Sequence, residues 1–228
     1  YAFKARPWEL TKTNSIDIFD GLGSAIEIGS KEGQVLRVLP RLNEDINEEW
    51  LADKSRFAID GLGNQRLDTP YKRDAKGKLL ACSWEEAFKT LSEKFKDVKS
   101  KEIAALVGGQ ACLESIVSLK DLMKEFNVNN IDCRPLLSCL PTETKNRSGW
   151  LFNPTIAGIE EADSLLIIGS QPRYEAALLD SRIRKSWLAN GLKIARIGGG
   201  DETSYPIDEL GSDISIIEQI YKGKHSYN

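Results

Sequence analysis

The sequence predicts an α/β chain, with a small β-rich N-terminal module followed by a mostly parallel sheet flanked by helices. Three observations predict it. Short apolar runs suited to buried strands recur at 102–107, 164–168 and 193–197. Amphipathic helical segments alternate with them, and such alternation implies a parallel sheet covered by helices. Ahead of Asn64 the pattern is instead that of a hairpin. The chain therefore divides into a β-rich module over 1–70 and an α/β domain over 71–228.

In chain order, Ala25–Ile28 and Val35–Leu39 are two strand runs around the polar turn Ser30–Gly33. Pro40, which has no N–H to give a ladder, ends the second. Asn47–Phe57 reads as a short helix with Trp50, Leu51, Lys54 and Phe57 near one face. Asn64–Lys78 is a polar connection broken by Pro70 and Gly77. Ser83–Lys96 is a helix opened by a capping box of Ser83 and Glu86. Trp84, Phe88, Leu91 and Phe95 follow at helical spacing.

The βαβ pattern begins with the strand 102–107, which stops at Gly108-Gly109. A helix over about Leu113–Phe126, a short strand at Asn130–Asp132 and an irregular stretch over Cys133–Asn153 come next. The strand 164–168 leads through a helix near Glu175–Leu188 to the strand 193–197, which ends in Gly198-Gly199-Gly200. A last helix covers about Asp213–Tyr221.

The 228 residues are 41% apolar and 29% charged, which is ordinary for globular proteins. A net charge of -3 argues against a nucleic-acid surface, which needs a basic face. No apolar run reaches the length of a membrane span. The chain opens on Tyr1 rather than Met, without the apolar stretch of a signal peptide, and reads as an excised piece of something longer.

Glycine-rich turns end three strands: Gly108-Gly109, Gly169-Ser170-Gln171-Pro172 and Gly198-Gly199-Gly200-Asp201. Ligands of open α/β sheets bind beyond such strand ends, so a nucleotide is one reading. None forms a full Gly-x-Gly-x-x-Gly; Thr203 stands where the third glycine belongs. Turns of this kind also arise simply because strands must bend into helices. Arg173, Arg182, Arg184 and Lys185 could clamp an anion, with Glu175 and Asp180 as nearby pairing groups; a solvated or subunit-facing helix surface is the plainer reading.

Cys82, Cys112, Cys133 and Cys139 form no Cys-x-x-Cys pair and read as reduced thiols. Five residues separate Cys133 from Cys139 in a loop, without a histidine or a third close cysteine to complete a metal site. His225, the one histidine, falls in the tail and reads as disordered. No catalytic, cofactor-binding or metal-ligating residue is expected in this chain.

Several segments together resemble a known family. They are Arg6–Glu9, Asn43–Trp50, Asp53–Phe57, Gln65–Leu67, Ser83–Glu85, Thr155–Asp163 and Arg182–Leu188. Nearly the whole sequence resembles the large iron-sulfur subunit, of the NuoG type, of respiratory NADH-quinone oxidoreductase (complex I). Arg6–Leu67 is similar to the iron-sulfur module that opens a molybdopterin-type oxidoreductase domain, yet it contains no cysteine. A cluster of that kind needs four thiolates at motif spacing.

The resemblance implies an incomplete molybdopterin-oxidoreductase-like fold acting as scaffold. Iron-sulfur clusters would belong to a preceding part of the subunit, and none to this piece. The implied partners are other peripheral-arm subunits, on the cytoplasmic side of a bacterial inner membrane or the mitochondrial matrix side. Two other readings stand beside it. One is a piece of a formate dehydrogenase type molybdenum enzyme with Cys139 as metal ligand, although Leu140-Pro141 stands where a catalytic histidine is expected. The other is a vestigial nucleotide-binding domain.

Overall fold

The computed structural model describes residues 3–133, 146, 148 and 151–227. The chain packs as two compact units. Residues 65–150 form one, and residues 1–64 with 151–228 form the other. Packing thus groups the N-terminal β-rich segment with the C-terminal third, a different division from the sequence modules at 1–70 and 71–228.

The discontinuous unit begins with a three-stranded antiparallel sheet: β1 (Thr11–Ile16), β2 (Ala25–Lys31) and β3 (Gln34–Pro40). The predicted hairpin is β2–β3, and Pro40 still pairs with Ile26 as the last strand residue. The sequence pattern does not predict β1. It is a polar, exposed edge strand without apolar alternation, so period 2 leaves no mark on its sequence. Ile26, Val38 and Leu51 form the small core behind this sheet.

The expected helix over 47–57 shrinks to α1 (Asp53–Phe57). Asn47 is the reason. Its buried amide accepts from Ala25 N at 2.8 Å and donates to the carbonyls of Arg41, Glu48 and Trp50. That ties the segment into a turn, with Glu48 at φ 49°, outside the right-handed helical region.

The same unit holds a parallel sheet of β8 (Ser164–Ile168), β9 (Lys193–Ile197) and β10 (Asp208–Gly211), in the order β10-β9-β8. A single turn α4 (Pro172–Glu175) and the longer α5 (Ala177–Asn190) form the crossover between β8 and β9. Gly191 stops α5 in the left-handed conformation at φ 70°, its N–H bonded to Trp187 O at 3.0 Å. β10 carries no sequence signal because it is short and polar. The terminal helix α6 (Ser215–Tyr221) is where it was expected. Ile159, Ile167, Ile183, Leu192, Ile194 and Tyr205 make the core. Each such isoleucine is worth roughly 1.5–3 kcal/mol on burial.

The continuous unit opens with a hairpin inside the expected polar connection, β4 (Tyr71–Arg73) and β5 (Leu79–Ala81). Asp74 Oδ1 accepts from Lys76 N and Lys78 N, and Gly77 turns the chain at φ 80°. Three-residue strands are too short to show a period. Helix α2 (Trp84–Phe95) is capped by Ser83 Oγ, which accepts from Glu86 N at 3.1 Å; the Glu86 carboxylate pairs with Lys72 of β4. Its apolar residues Trp84, Phe88 and Leu91 face outward. β6 (Ala105–Leu106) pairs in parallel with β7 (Ile131–Asp132) across α3 (Leu113–Glu125), over a core of Ile103, Met123 and Val128. Of the strand predicted over 102–107, Glu102 belongs to the 3-10 turn Ser100–Glu102 and only Ala105–Leu106 form a strand.

Candidate functional site

The turns after β8 and β9 meet at the strand ends. Gly169 N donates to Ile197 O at 2.9 Å, and a Cβ on Gly198 would stand 3.3 Å from Gly169 Cα. Gly198 has φ 107°. The glycines therefore let two backbones approach each other. Arg196 fills the space above them. Its buried guanidinium pairs with Glu209 and donates to Gly200 O and Asp201 O at 3.3 Å. A Cβ at Gly200 would collide with it. The cavity remaining between Gln171, Arg196 and Thr203 is about 10 Å³, below the size of any nucleotide. Gly108-Gly109 lies in the other unit, with open space around both residues. Sequence reasoning missed Arg196; a cation inside the apolar run Ile194–Ile197 was the available signal.

The basic residues near α5 do not form one clamp. Arg182 is buried, donating to Glu160 Oε1 at 2.6 Å and to the carbonyls of Glu44 at 2.8 Å and Ile46 at 3.2 Å. Lys185 bridges Glu48 and Glu160. That hydrogen bond to Lys185, with the Lys185 and Arg182 charges behind it, holds the Glu48 carboxyl below its ordinary range against the opposing effect of desolvation. Arg184 is exposed, and Arg173 donates to Glu202 O at 3.4 Å. Glu175 accepts instead from Ser170 Oγ at 2.6 Å, and Asp180 from Tyr205 Oη at 2.6 Å. Burial, then the bond to Asp180, pushes the Tyr205 phenol strongly up. The reading of Arg182 as solvated surface is thus corrected: it is an internal tie between α5 and the 43–50 turn.

A second polar centre, unread in the sequence, lies in the loop from β1 to β2. The Asp17 carboxylate accepts from Phe19 N at 3.1 Å and from the Ser55 hydroxyl. Asp20 Oδ1 accepts from Leu22 N at 3.0 Å. Asp17, Ser24 and Ser55 are buried, as is the Asp20 side chain. Two carboxylates three residues apart between strands were the signal.

Cys112 occupies the N-cap position of α3 without a side-chain cap bond, its Sγ 3.1 Å from Ser115 Oγ. The Ser115 hydroxyl and N–H draw this exposed thiol below its ordinary pKa. Cys133 is exposed, and Cys82 Sγ donates to Pro70 O at 3.6 Å. Cys139 lies outside the described residues, so its pairing with Cys133 does too. His225, expected to be disordered, accepts from Tyr227 N at 3.1 Å. Among the described residues no three His, Cys, Asp or Glu side chains gather to hold a metal.

Two family models match the chain. That of molybdopterin oxidoreductase covers residues 66–228. That of the NADH-ubiquinone oxidoreductase NDSU1/NuoG-like, 4Fe-4S domain covers residues 10–60. The sequence is also similar over its whole length to proteins named as the G subunit of NADH-quinone oxidoreductase. It is 49% identical to that of Rickettsia conorii, 48% to that of Rickettsia felis and 47% to that of Rickettsia prowazekii. In each case 227 residues align, the whole of this chain and 33% of the relative, so the chain spans about a third of their length.

Residues 10–60 do not offer the donors of the four-iron cluster that the second description names. Thiolates hold four-iron clusters, yet 10–60 contains neither cysteine nor histidine, and its enclosed polar side chains are carboxylates, hydroxyls and the Asn47 amide. The 4Fe-4S description nevertheless falls inside this chain, where the sequence reading placed clusters only in a preceding part. The cavity beside Arg196 at the β8 and β9 ends is too small for a pterin. With one family model matching 66–228, over two thirds of the sequence, the chain belongs to the molybdopterin oxidoreductase family.

Proposed function

We propose that this chain is a non-catalytic scaffold region of an NADH-quinone oxidoreductase subunit. The whole enzyme passes electrons from NADH through iron-sulfur clusters to quinone, coupled to proton translocation. In this reading residues 1–70 are a former iron-sulfur module and 71–228 the start of the molybdopterin-oxidoreductase-like region. The piece carries no cluster, pterin or catalytic residue, and electrons run through centres held elsewhere in the subunit. Its partners are other peripheral-arm subunits, on the cytoplasmic or matrix side of the energy-conserving membrane. Among the described residues no helix is long and apolar enough to cross a membrane.

The observation that carries the reading is the donor chemistry of 10–60, where a four-iron module has no thiol to offer. Metal analysis of the purified chain tests it, with near-ultraviolet circular dichroism as the check on folding. Folded chain without iron, molybdenum or tungsten and without a visible absorption band is the expected result. Stoichiometric iron with a band near the thiolate charge-transfer region would sink the proposal and make the four cysteines the first residues to mutate.

A further inference from the structure

The ladder between β1 and β2 runs from Thr11 opposite Ser30 to Ile16 opposite Ala25. One step further, Asp17 N donates to Ser24 O at 2.8 Å. Asp17 and Ser24 are therefore directly opposed, and opposed residues of an antiparallel pair put their side chains on one face. That face is the inner one: Ser24 is 0% exposed and Asp17 4%.

Asp20, at the far end of the loop, has a side chain only 1% exposed. Its Oδ2 and the Ser24 Oγ are enclosed and have no hydrogen-bonding partner among the described residues. Polar oxygens taken from water without compensation are costly, and more so when charged. The one cation near Asp20 among the described residues is Lys54, whose Nζ stands 3.9 Å from Oδ2, beyond hydrogen-bond reach, on a side chain 40% exposed. Among the described residues Asp20 Oδ2 thus has one loosely held ammonium beside it and no hydrogen-bond donor, and the opposed Ser24 hydroxyl has neither.

We propose that the Asp17–Ser24 loop binds one hard cation, an alkali or alkaline-earth ion, through Asp20 Oδ2, Ser24 Oγ and the Asp17 carboxylate. Every donor is oxygen, which selects hard cations over the thiophilic and imidazole-seeking metals. The ion would supply a partner to both oxygens that lack one. The Ser55 hydroxyl donates to Asp17 and holds its carboxylate in place.

Hydrogen exchange in the full-length subunit tests this. The amides of 17–24 are followed after chelation in tetramethylammonium chloride, then with potassium, sodium, magnesium or calcium at equal ionic strength. One of these ions is expected to slow exchange saturably, by about tenfold, while the 107–112 turn stays unchanged. A potassium or sodium response identifies an alkali site, and a magnesium or calcium response an alkaline-earth site. D20N and S24A are each expected to raise the concentration required by about tenfold. Should D20N not fold, S24A, which removes a single hydroxyl, carries the comparison alone. Unchanged exchange of the wild type with all four ions overturns the proposal. So does a full response in S24A.

Discussion

Arg182 Nη1 donates to Glu160 Oε1 at 2.6 Å while its other terminal nitrogen holds Glu44 O at 2.8 Å, a carbonyl 138 residues earlier in the chain. One planar guanidinium thus joins the crossover helix, the 3-10 turn before β8 and the turn after β3. Its fork geometry suits this as an ammonium would not.

Arg182→Ala is expected to destabilise the fold by about 3 kcal/mol, because it leaves two carbonyls without this donor and Glu160 with only the more distant Lys185 ammonium. Lys185→Ala, on an exposed side chain, is expected to cost less than about 1 kcal/mol. Urea unfolding of the two variants checks the ranking, and equal losses would contradict it.

The Glu48–Lys185 pair sets a pH dependence. The Glu48 pKa is lowered from 4.5, so its contribution is present above that value and fades as pH falls through the folded pKa. The Lys185 pKa is raised from 10.5, chiefly by the bond to Glu48, so its contribution is full below that value and is lost as pH rises beyond it. The melting-temperature gap between wild type and Lys185→Met should be flat between these limits and close in acid. A gap that grows steadily below pH 4.5 would reverse the sign argued here.

Among the described cysteines, Cys112 should be alkylated fastest by iodoacetamide near neutral pH, because its thiolate is favoured by Ser115. Ser115→Ala should slow the reaction several-fold without touching Cys133. Peptide mass spectrometry over a time course reads both rates, and no effect of Ser115→Ala would refute the cause assigned.

Gly198→Ala should cost about 2 kcal/mol, since φ 107° and the Gly169 backbone both oppose a side chain there. Gly109→Ala, with nothing within 4 Å, should be nearly neutral. Thermal denaturation separates them. Comparable losses would mean that Gly109 meets a constraint beyond its own turn.

The long apolar strands and the helices with caps were legible: Ser164–Ile168, Lys193–Ile197 and the helix after Ser83 stand where their periodicity put them. Thr11–Ile16, Tyr71–Arg73 and Asp208–Gly211 were not, because edge strands and three- or four-residue strands carry no burial period. Nor was the Asn47 turn, whose amide overrides a stretch of acceptable helix formers with four hydrogen bonds. The roles of Arg182 and Arg196 depend on partners far away or across a strand end, which no local pattern encodes. The family likeness was legible because it rests on residue identity rather than on local physics.

The interleaving of the two units fixes an order of events during synthesis. Glu48 leaves the ribosome 137 residues before Lys185, its salt-bridge partner. At about 5–20 residues per second that gap is on the order of 10 s. Over that interval the antiparallel sheet and its Asn47 turn must persist without the helix that later clamps them, while residues 65–150 emerge in between. A nascent chain stalled before Arg182 would therefore present the 43–50 turn uncovered to chaperones and proteases, and one stalled only once Asn190 has emerged from the ribosome would not.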